Sequence, residues 1–184
     1  SFFFFFPLIS FTLNMPFTLL TPMRVVLLNK NIYDIKCLQK ISKRKEQLIM
    51  NVELGISTFG ETTPLEKTGK AISHDERIRN LIEEVELADQ VGIDAYAIGE
   101  HHRKDFAVSA PEVIIAMAAA KTKQIHLSSA TTNLPTIDPI RVFEQYATID
   151  AMAPGRIEIM AGRGSFTEAF DLFGYDLNDY NDLF

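Results

Sequence analysis

Residues 94–102 read Asp94-Ala95-Tyr96-Ala97-Ile98-Gly99-Glu100-His101-His102, an apolar run that ends in a carboxylate and two imidazoles. An apolar run this short, ended by glycine and polar residues, predicts a buried β-strand. Such a strand would bring three titratable side chains to one edge of a sheet. From Met50 onward the chain repeats this arrangement, in which a strand ends in polar residues and a helix follows.

The repeated arrangement gives four strand–helix units. Strands are predicted at residues 51–57, 94–99, 125–131 and 156–161. Helices are predicted from Ser73 to Gly92, over 111–121, from Asp138 to the Ala153-Pro154-Gly155 stop, and over 167–173. Ser73 and Ser109 each have capping-box spacing to a carboxylate, and Asp138 precedes a proline suited to the first helical position. Regular alternation of strands and helices predicts parallel βα units.

Two α/β architectures fit this alternation, a barrel and an open doubly wound sheet. No G-x-G-x-x-G motif follows the first strand, which disfavours a dinucleotide-binding Rossmann sheet. A TIM (β/α)8 barrel typically needs about 250 residues, whereas residues 50–184 supply four units. We therefore predict the first four βα units of a TIM barrel in a truncated chain. Half a barrel has open sheet edges, so this chain alone is expected to aggregate and to be inactive.

The composition changes at Met50. Residues 1–49 carry seven Lys/Arg and two Asp/Glu, whereas residues 50–184 carry eleven and twenty-two. The apolar start of this N-terminal extension is long enough to span a bilayer, but three prolines interrupt any helix there. We therefore interpret residues 1–49 as a leader outside the domain, either spurious upstream sequence or disordered, with a membrane anchor as the alternative. Residues 50–184 form the predicted domain.

Net charge and cysteine content argue against several classes of function. A formal charge of −6 gives no support for nucleic-acid binding. The single cysteine, Cys37, excludes an intramolecular disulfide and any multi-cysteine metal site. A chain without disulfides suits a reducing compartment, and we expect a cytoplasmic location.

Glu100, His101 and His102 are the first candidates for chemistry. Consecutive residues of an extended chain point to opposite faces, so Glu100 and His102 should share one face while His101 occupies the other. A zinc site usually needs three or four ligands, and the sequence offers no third ligand at a suitable position, so no metal is predicted. Imidazole titrates near neutral pH and can move a proton. We assign that role to His101 and a structural hydrogen bond to His102.

Gly162-Arg163-Gly164-Ser165 is the second candidate. Arginine presents a planar fork of donors suited to a phosphate, and flanking glycines let the backbone approach an anion closely. The alternative is a surface turn with a solvated arginine. The hydroxyl-rich segment 128–132, taken alone, is typical of a buried strand end whose hydroxyls bond to local backbone.

Taken together, these segments resemble the bacterial luciferase-like, flavin-dependent monooxygenases. The resemblance covers residues 50–184 and rests on three ordered blocks. The blocks are Glu100-His101-His102, then Thr132-Asn133-Leu134-Pro135-Thr136 with Asp138-Pro139-Ile140-Arg141, and finally Asp150-x-x-Ala153-Pro154-Gly155-Arg156 running into Gly162-Arg163-Gly164. The fold of that family is a TIM barrel, which agrees with the count of βα units.

The resemblance implies roles for particular residues. His101 would be the catalytic histidine, and Glu100 would orient it or contact the flavin side. The flavin ring would pack on a bulge held by a cis peptide bond between Ala130 and Thr131. Arg163, with Gly164 beside it, would hold the phosphate of FMN.

The resemblance also implies the reaction and its partners. Reduced FMN and O2 would oxidise a small organic substrate, with a deazaflavin as the alternative cofactor. A flavin reductase would supply the reduced flavin, and the full-length protein would be a homodimer. Two other readings stay open: a non-catalytic flavin-binding or subunit-association protein, and a metal-dependent TIM-barrel hydrolase, which the missing ligands disfavour.

Overall fold

The computed structural model describes residues 23–28, 52–64, 69–164 and 166–184. Its strands are β1 (Met23–Leu28), β2 (Val52–Thr58), β3 (Ala95–Ile98), β4 (His126–Ser129), β5 (Thr132–Asn133), β6 (Ile157–Glu158) and β7 (Ala161–Gly162). Its α-helices are α1 (His74–Gln90), α2 (Pro111–Lys121), α3 (Pro139–Met152) and α4 (Glu168–Phe173). Short 3-10 turns lie at Leu134–Thr136 and Leu177–Asp179.

The main sheet confirms the prediction of parallel βα units. Its five strands have the order β1-β2-β3-β4-β6, and every pairing is parallel. Strands that follow one another along the sequence are neighbours, without the reversal of order that marks a doubly wound sheet. This is the order of a barrel wall. Closure into eight strands stays a prediction.

Two predicted strands are each divided in the structure. The predicted strand 125–131 becomes β4 and β5, and the predicted strand 156–161 becomes β6 and β7. The interruption after β4 contains a cis peptide bond between Ala130 and Thr131, as the resemblance implied. Beyond the interruption, β5 and β7 form a separate two-stranded parallel sheet. The chain therefore leaves the main sheet at the end where the candidate site residues lie.

Strand β1 falls within the extension that we expected to lie outside the domain. It pairs in parallel with β2, from Met23 opposite Val52 to Leu28 opposite Ser57. The exposed edge of a strand offers free backbone donors and acceptors, and an apolar, β-branched segment is suited to pair with it. The other residues of the extension, including the candidate anchor, lie outside the described residues. Within the described part of the chain, no helix is long and apolar enough to cross a membrane.

The hydrophobic core lies between the sheet and the helices. Its fully buried members come from α1, α2 and the strands, and they include Leu81, Val85, Tyr96, Ile98, Ile115, Ile125 and Leu127. Helix α3 buries Val142, Tyr146 and Ile149. Its opposite face carries Ile140 and Phe143, which are 67% and 70% exposed.

The helix starts follow the sequence signals at two of three positions. Ser73 Oγ accepts a hydrogen bond from the amide of Glu76, and Asp138 accepts from the amides of Ile140 and Arg141. The predicted capping box at Ser109 is wrong. The N-cap there is Ala110, and no side chain caps the helix, because the helix begins one residue later than the box requires.

A buried polar cluster joins α1 to the ends of β2 and β3. Arg77 donates to Glu84 Oε1 at 3.2 Å and to Thr58 Oγ1 at 3.1 Å, and the Tyr96 hydroxyl donates to Glu84 Oε2 at 3.0 Å. Burial raises the pKa of the Glu84 carboxyl, and Arg77 and the Tyr96 hydroxyl offset this only in part. The cluster therefore holds α1 against the C-terminal end of β2 at Thr58 and against β3 at Tyr96.

Candidate functional site

The candidate residues lie where the parallel strands end, a region that we call the rim. Glu100 and its two histidines follow β3, Ala130 and Thr131 follow β4, and Arg163 follows β7. In parallel βα folds, the C-terminal ends of the strands lie on one side and carry the binding loops. The contacts described below join the three segments to one another.

The carboxylate of Glu100 joins two of these segments. It is buried, its Oε1 lies 2.9 Å from His102 Nε2, and its Oε2 accepts a hydrogen bond from the amide of Asn133 at 3.1 Å. His102 also meets the ring of Phe173 edge to face. The predicted pairing of Glu100 with His102 on one face is confirmed. The two hydrogen bonds of the Glu100 carboxylate go to His102 and to the amide of Asn133, and its expected part, to orient His101 or to contact the flavin side, stays a prediction.

His101 lies on the other face, inside a box of three aromatic rings. The Phe106 ring stacks on the imidazole with centroids 4.2 Å apart, and the Phe59 and Phe166 rings meet it edge to face at 5.1 and 4.6 Å. We call these three residues the aromatic box. Only 7% of the His101 surface remains exposed. The box holds the imidazole in one orientation and keeps most water away from it.

Two charged side chains complete the surroundings of His101. Oε1 of Glu168 lies 3.3 Å from Nδ1 of the imidazole. The guanidinium of Arg103 lies 5.7 and 5.6 Å from the ring centroids of Phe106 and Phe166. It is held there by two hydrogen bonds to Asp105.

The aromatic box and Glu168 are not among the residues predicted from the sequence. One signal was available, because Phe59 directly follows β2 and Phe166 closely follows Gly164. Both positions are at strand ends, where binding residues concentrate in this type of fold. A phenylalanine is nevertheless far more common as a core residue, so this signal is weak.

The Ala130–Thr131 segment lies against the glycine that precedes Glu100. The amide of Ala130 donates to the carbonyl of Ile98 at 2.8 Å. A Cβ on Gly99 would overlap the ring of Phe59 and would lie 3.1 Å from the carbonyl oxygen of Ala130. Only glycine fits at position 99 without displacing the aromatic box, so the box and the cis segment are packed as one unit.

Strand β7 approaches the same segment through its glycines. A Cβ on Gly162 would lie 2.9 Å from the side chain of Thr131, and one on Gly164 would lie 2.6 Å from Asn133 Oδ1. Gly164 also has a φ of 71°, in the left-handed region that favours glycine. The glycines on either side of Arg163 therefore permit close packing of the β7 segment on the β5 segment.

Arg163 is exposed at the rim. It donates to Asn181 Oδ1 at 2.7 Å, and its guanidinium lies 4.7 Å from the Phe184 ring centroid and 5.5 Å from that of Tyr180. None of these three side chains carries a negative charge. A guanidinium with neutral partners, beside a tightly packed backbone, is suited to bind an anionic group such as a phosphate.

Comparison with known proteins identifies similar sequences. The family model for luciferase-like monooxygenase matches residues 52–184. The N-acetyl-S-alkylcysteine monooxygenase of Bacillus subtilis (strain 168) is 31% identical over 96 residues, which cover 52% of this chain and 29% of that protein. The alkanal monooxygenase alpha chain of the Kryptophanaron alfredi symbiont is 29% identical over 113 residues, covering 61% of this chain and 32% of that protein.

Solved structures share the fold. The oxygenating constituent of 3,6-diketocamphane monooxygenase from the CAM plasmid of Pseudomonas putida, in complex with FMN, superposes with a TM-score of 0.61 at 24% identity, covering 71% of this chain and 36% of that one. An F420-dependent secondary alcohol dehydrogenase, in complex with an F420-acetone adduct, has a TM-score of 0.51 at 20% identity, with 71% and 38% covered. The chain spans about a third of the length of these relatives.

Proposed function

Because the chain belongs to the luciferase-like monooxygenase family, we propose that the complete protein is a flavin-dependent monooxygenase. It would use reduced FMN and O2 to oxidise a small organic substrate, with a flavin reductase as the source of reduced flavin. One observation carries this proposal: the buried His101 in its aromatic box lies at the same rim as the glycine-flanked Arg163. A proton-transfer group and a phosphate-binding cation are the two protein groups that such a reaction needs.

Each residue of the rim has a part in this proposal. Arg163 and the Gly164 backbone would hold the phosphate, and the Ala130–Thr131 segment would support the ring system. When bound, the reduced flavin supplies the electrons for the reaction with O2. His101 would transfer a proton at the flavin or at the substrate. The aromatic box would exclude water from His101, so that the proton is not lost to solvent.

The phosphate assignment gives a direct test of the proposal. Arg163→Met should weaken FMN binding to the complete protein by about 10- to 100-fold, or about 1.4–2.8 kcal/mol. Riboflavin lacks the phosphate, so its affinity should be the same for the variant and the wild type. Both affinities can be measured by flavin fluorescence titration. Arg141→Met is the matched control, because Arg141 is an exposed arginine that pairs with Glu144 on α3.

Three other results would contradict parts of the proposal. Equal loss of FMN and riboflavin binding would mean that Arg163 supports the rim rather than a phosphate. Tighter binding of the deazaflavin F420 than of FMN would mean that the cofactor is F420 rather than FMN. No binding of any flavin by the wild type would remove the proposed function altogether.

We further propose that the complete protein is a homodimer that associates through the outer faces of α2 and α3. These faces expose Val113, Met117 and Phe143, at 54%, 44% and 70%. An exposed apolar face of this kind marks an interaction surface.

Phe143→Glu is therefore expected to shift the complete protein toward the monomer, because it places a charge within an apolar interface. Sedimentation equilibrium should show a dimer dissociation constant at least about tenfold higher, equivalent to about 1.4 kcal/mol. Leu172→Glu is the control, since Leu172 is 62% exposed on α4, away from this face. A monomeric wild type, or equal effects of both variants, would refute the assignment of this interface.

A further inference from the structure

The imidazole of His101 has a charged partner that lies far away in the sequence. Glu168 is 67 residues from His101, and its Oε1 lies 3.3 Å from Nδ1. The two side chains are 20% and 7% exposed, respectively. A pair that is largely withdrawn from water is screened less by solvent and salt than an exposed pair. This contact is therefore a specific feature of the site rather than a surface ion pair.

The aromatic box gives the two imidazole nitrogens different surroundings. Phe106 stacks on the ring face, while Phe59 and Phe166 approach its edge. The imidazole cannot turn over without displacing these rings. Nδ1 therefore stays beside Glu168, and Nε2 is the nitrogen that this carboxylate does not engage.

The chemistry of a carboxylate decides which nitrogen carries the proton. An ionised carboxylate can only accept hydrogen bonds, so Nδ1 beside it must be the donor. Neutral His101 then has its proton on Nδ1 and a lone pair on Nε2. Without the carboxylate, both tautomers would be accessible.

The segment that supplies Glu168 also supplies Arg163. Both residues follow β7, and Glu168 is the first residue of α4. The cation assigned to the flavin phosphate and the partner of the proton-transfer residue are therefore carried by one short connection.

We propose that Glu168 is the positioning residue of His101. Its carboxylate holds the Nδ1–H tautomer, so that Nε2 accepts a proton from the substrate or flavin and later returns it. While Nε2 holds that proton, the positive charge of the imidazolium lies against the Glu168 carboxylate. The identity of the reaction rests on the proposed function, whereas the tautomer is a property of this chain alone.

Nitrogen-15 NMR of the complete protein tests the tautomer without a flavin. Long-range proton–nitrogen spectra distinguish the two neutral forms, and His101→Asn identifies the His101 signals. The wild type should show the Nδ1–H form, and Glu168→Gln should shift His101 toward the Nε2–H form. Asp171→Asn removes the same charge from the same helix at an exposed position, and it should leave the tautomer unchanged.

A kinetic measurement then tests the consequence. With reduced FMN, O2 and an alkanal as the probe, Glu168→Gln should lower kcat by about 10- to 100-fold, as loss of a partner that orients a histidine typically does. FMN affinity should stay within about threefold, and Glu168→Asp should restore part of the activity because it restores the carboxylate. A wild-type Nε2–H tautomer, or an unchanged tautomer in Glu168→Gln, would overturn the inference. The expected tautomers without flavin binding would support the positioning by Glu168 and overturn the proposed function.

Discussion

His101→Ala is expected to lower the turnover of the complete protein about 10²- to 10⁴-fold, the usual contribution of a positioned acid or base. FMN affinity should stay within about tenfold, or about 1.4 kcal/mol. Turnover and FMN affinity should respond differently because the proposed phosphate contact is made by Arg163, at the end of a different strand. Turnover can be followed as the flavin- and substrate-dependent consumption of O2.

A second histidine provides the control for this experiment. His126 lies at the start of β4, where it pairs with Glu158 at 3.1 Å, away from the rim. His126→Ala removes the same side chain and should leave turnover within about twofold, since it makes no contact with the reacting groups. Unchanged turnover in His101→Ala would remove His101 from the proton-transfer role.

Arg77→Met is expected to lower the free energy of unfolding by about 3–5 kcal/mol, because it leaves the buried Glu84 carboxylate without its cation. Urea unfolding measures this change. Arg79 lies on the same helix but pairs with Asp75 in solvent, with both side chains about two-thirds exposed. Arg79→Met should therefore cost less than about 1 kcal/mol.

The pH dependence of the free energy of unfolding distinguishes the loss of the Arg77 charge from the loss of its packing contacts. Burial already raises the pKa of Glu84 in the folded wild type, and removal of Arg77 should raise it further. A carboxyl group whose pKa is higher in the folded than in the unfolded state stabilises the fold fully below its unfolded pKa. This stabilisation is lost as the pH rises through the folded pKa. The deficit of Arg77→Met should therefore be larger at about pH 8 than at about pH 5. A deficit independent of pH would attribute the loss to packing alone.

Local patterns in the sequence predicted the local features of this structure. Alternation along an extended chain separated His101 from Glu100 and His102 because it depends only on neighbouring residues. The caps at Ser73 and Asp138 were predictable for the same reason. The capping box predicted at Ser109 was wrong because the spacing between two residues does not determine where the helix begins.

The interior of the site could not be predicted from patterns. Phe59 comes to His101 from the loop after β2 and Glu168 from the first turn of α4, and their contacts arise from the stacking of βα units rather than from any periodicity. Nothing in the composition of 128–132 indicates a cis peptide bond; that expectation came from the resemblance alone. The sequence offered only Glu100, a neighbour of His101, to orient the imidazole or to contact the flavin side, and the structure adds a distant carboxylate, that of Glu168.

The bond between Glu100 and the amide of Asn133 has a consequence for the order of folding. It joins residues 33 positions apart, and the contact of His101 with Glu168 joins residues 67 positions apart. Contacts of long sequence separation require chain entropy to be lost before they form. Helix α1 and its cap need no such contacts. We therefore expect the rim to order late, after the units that carry its strand ends have packed together.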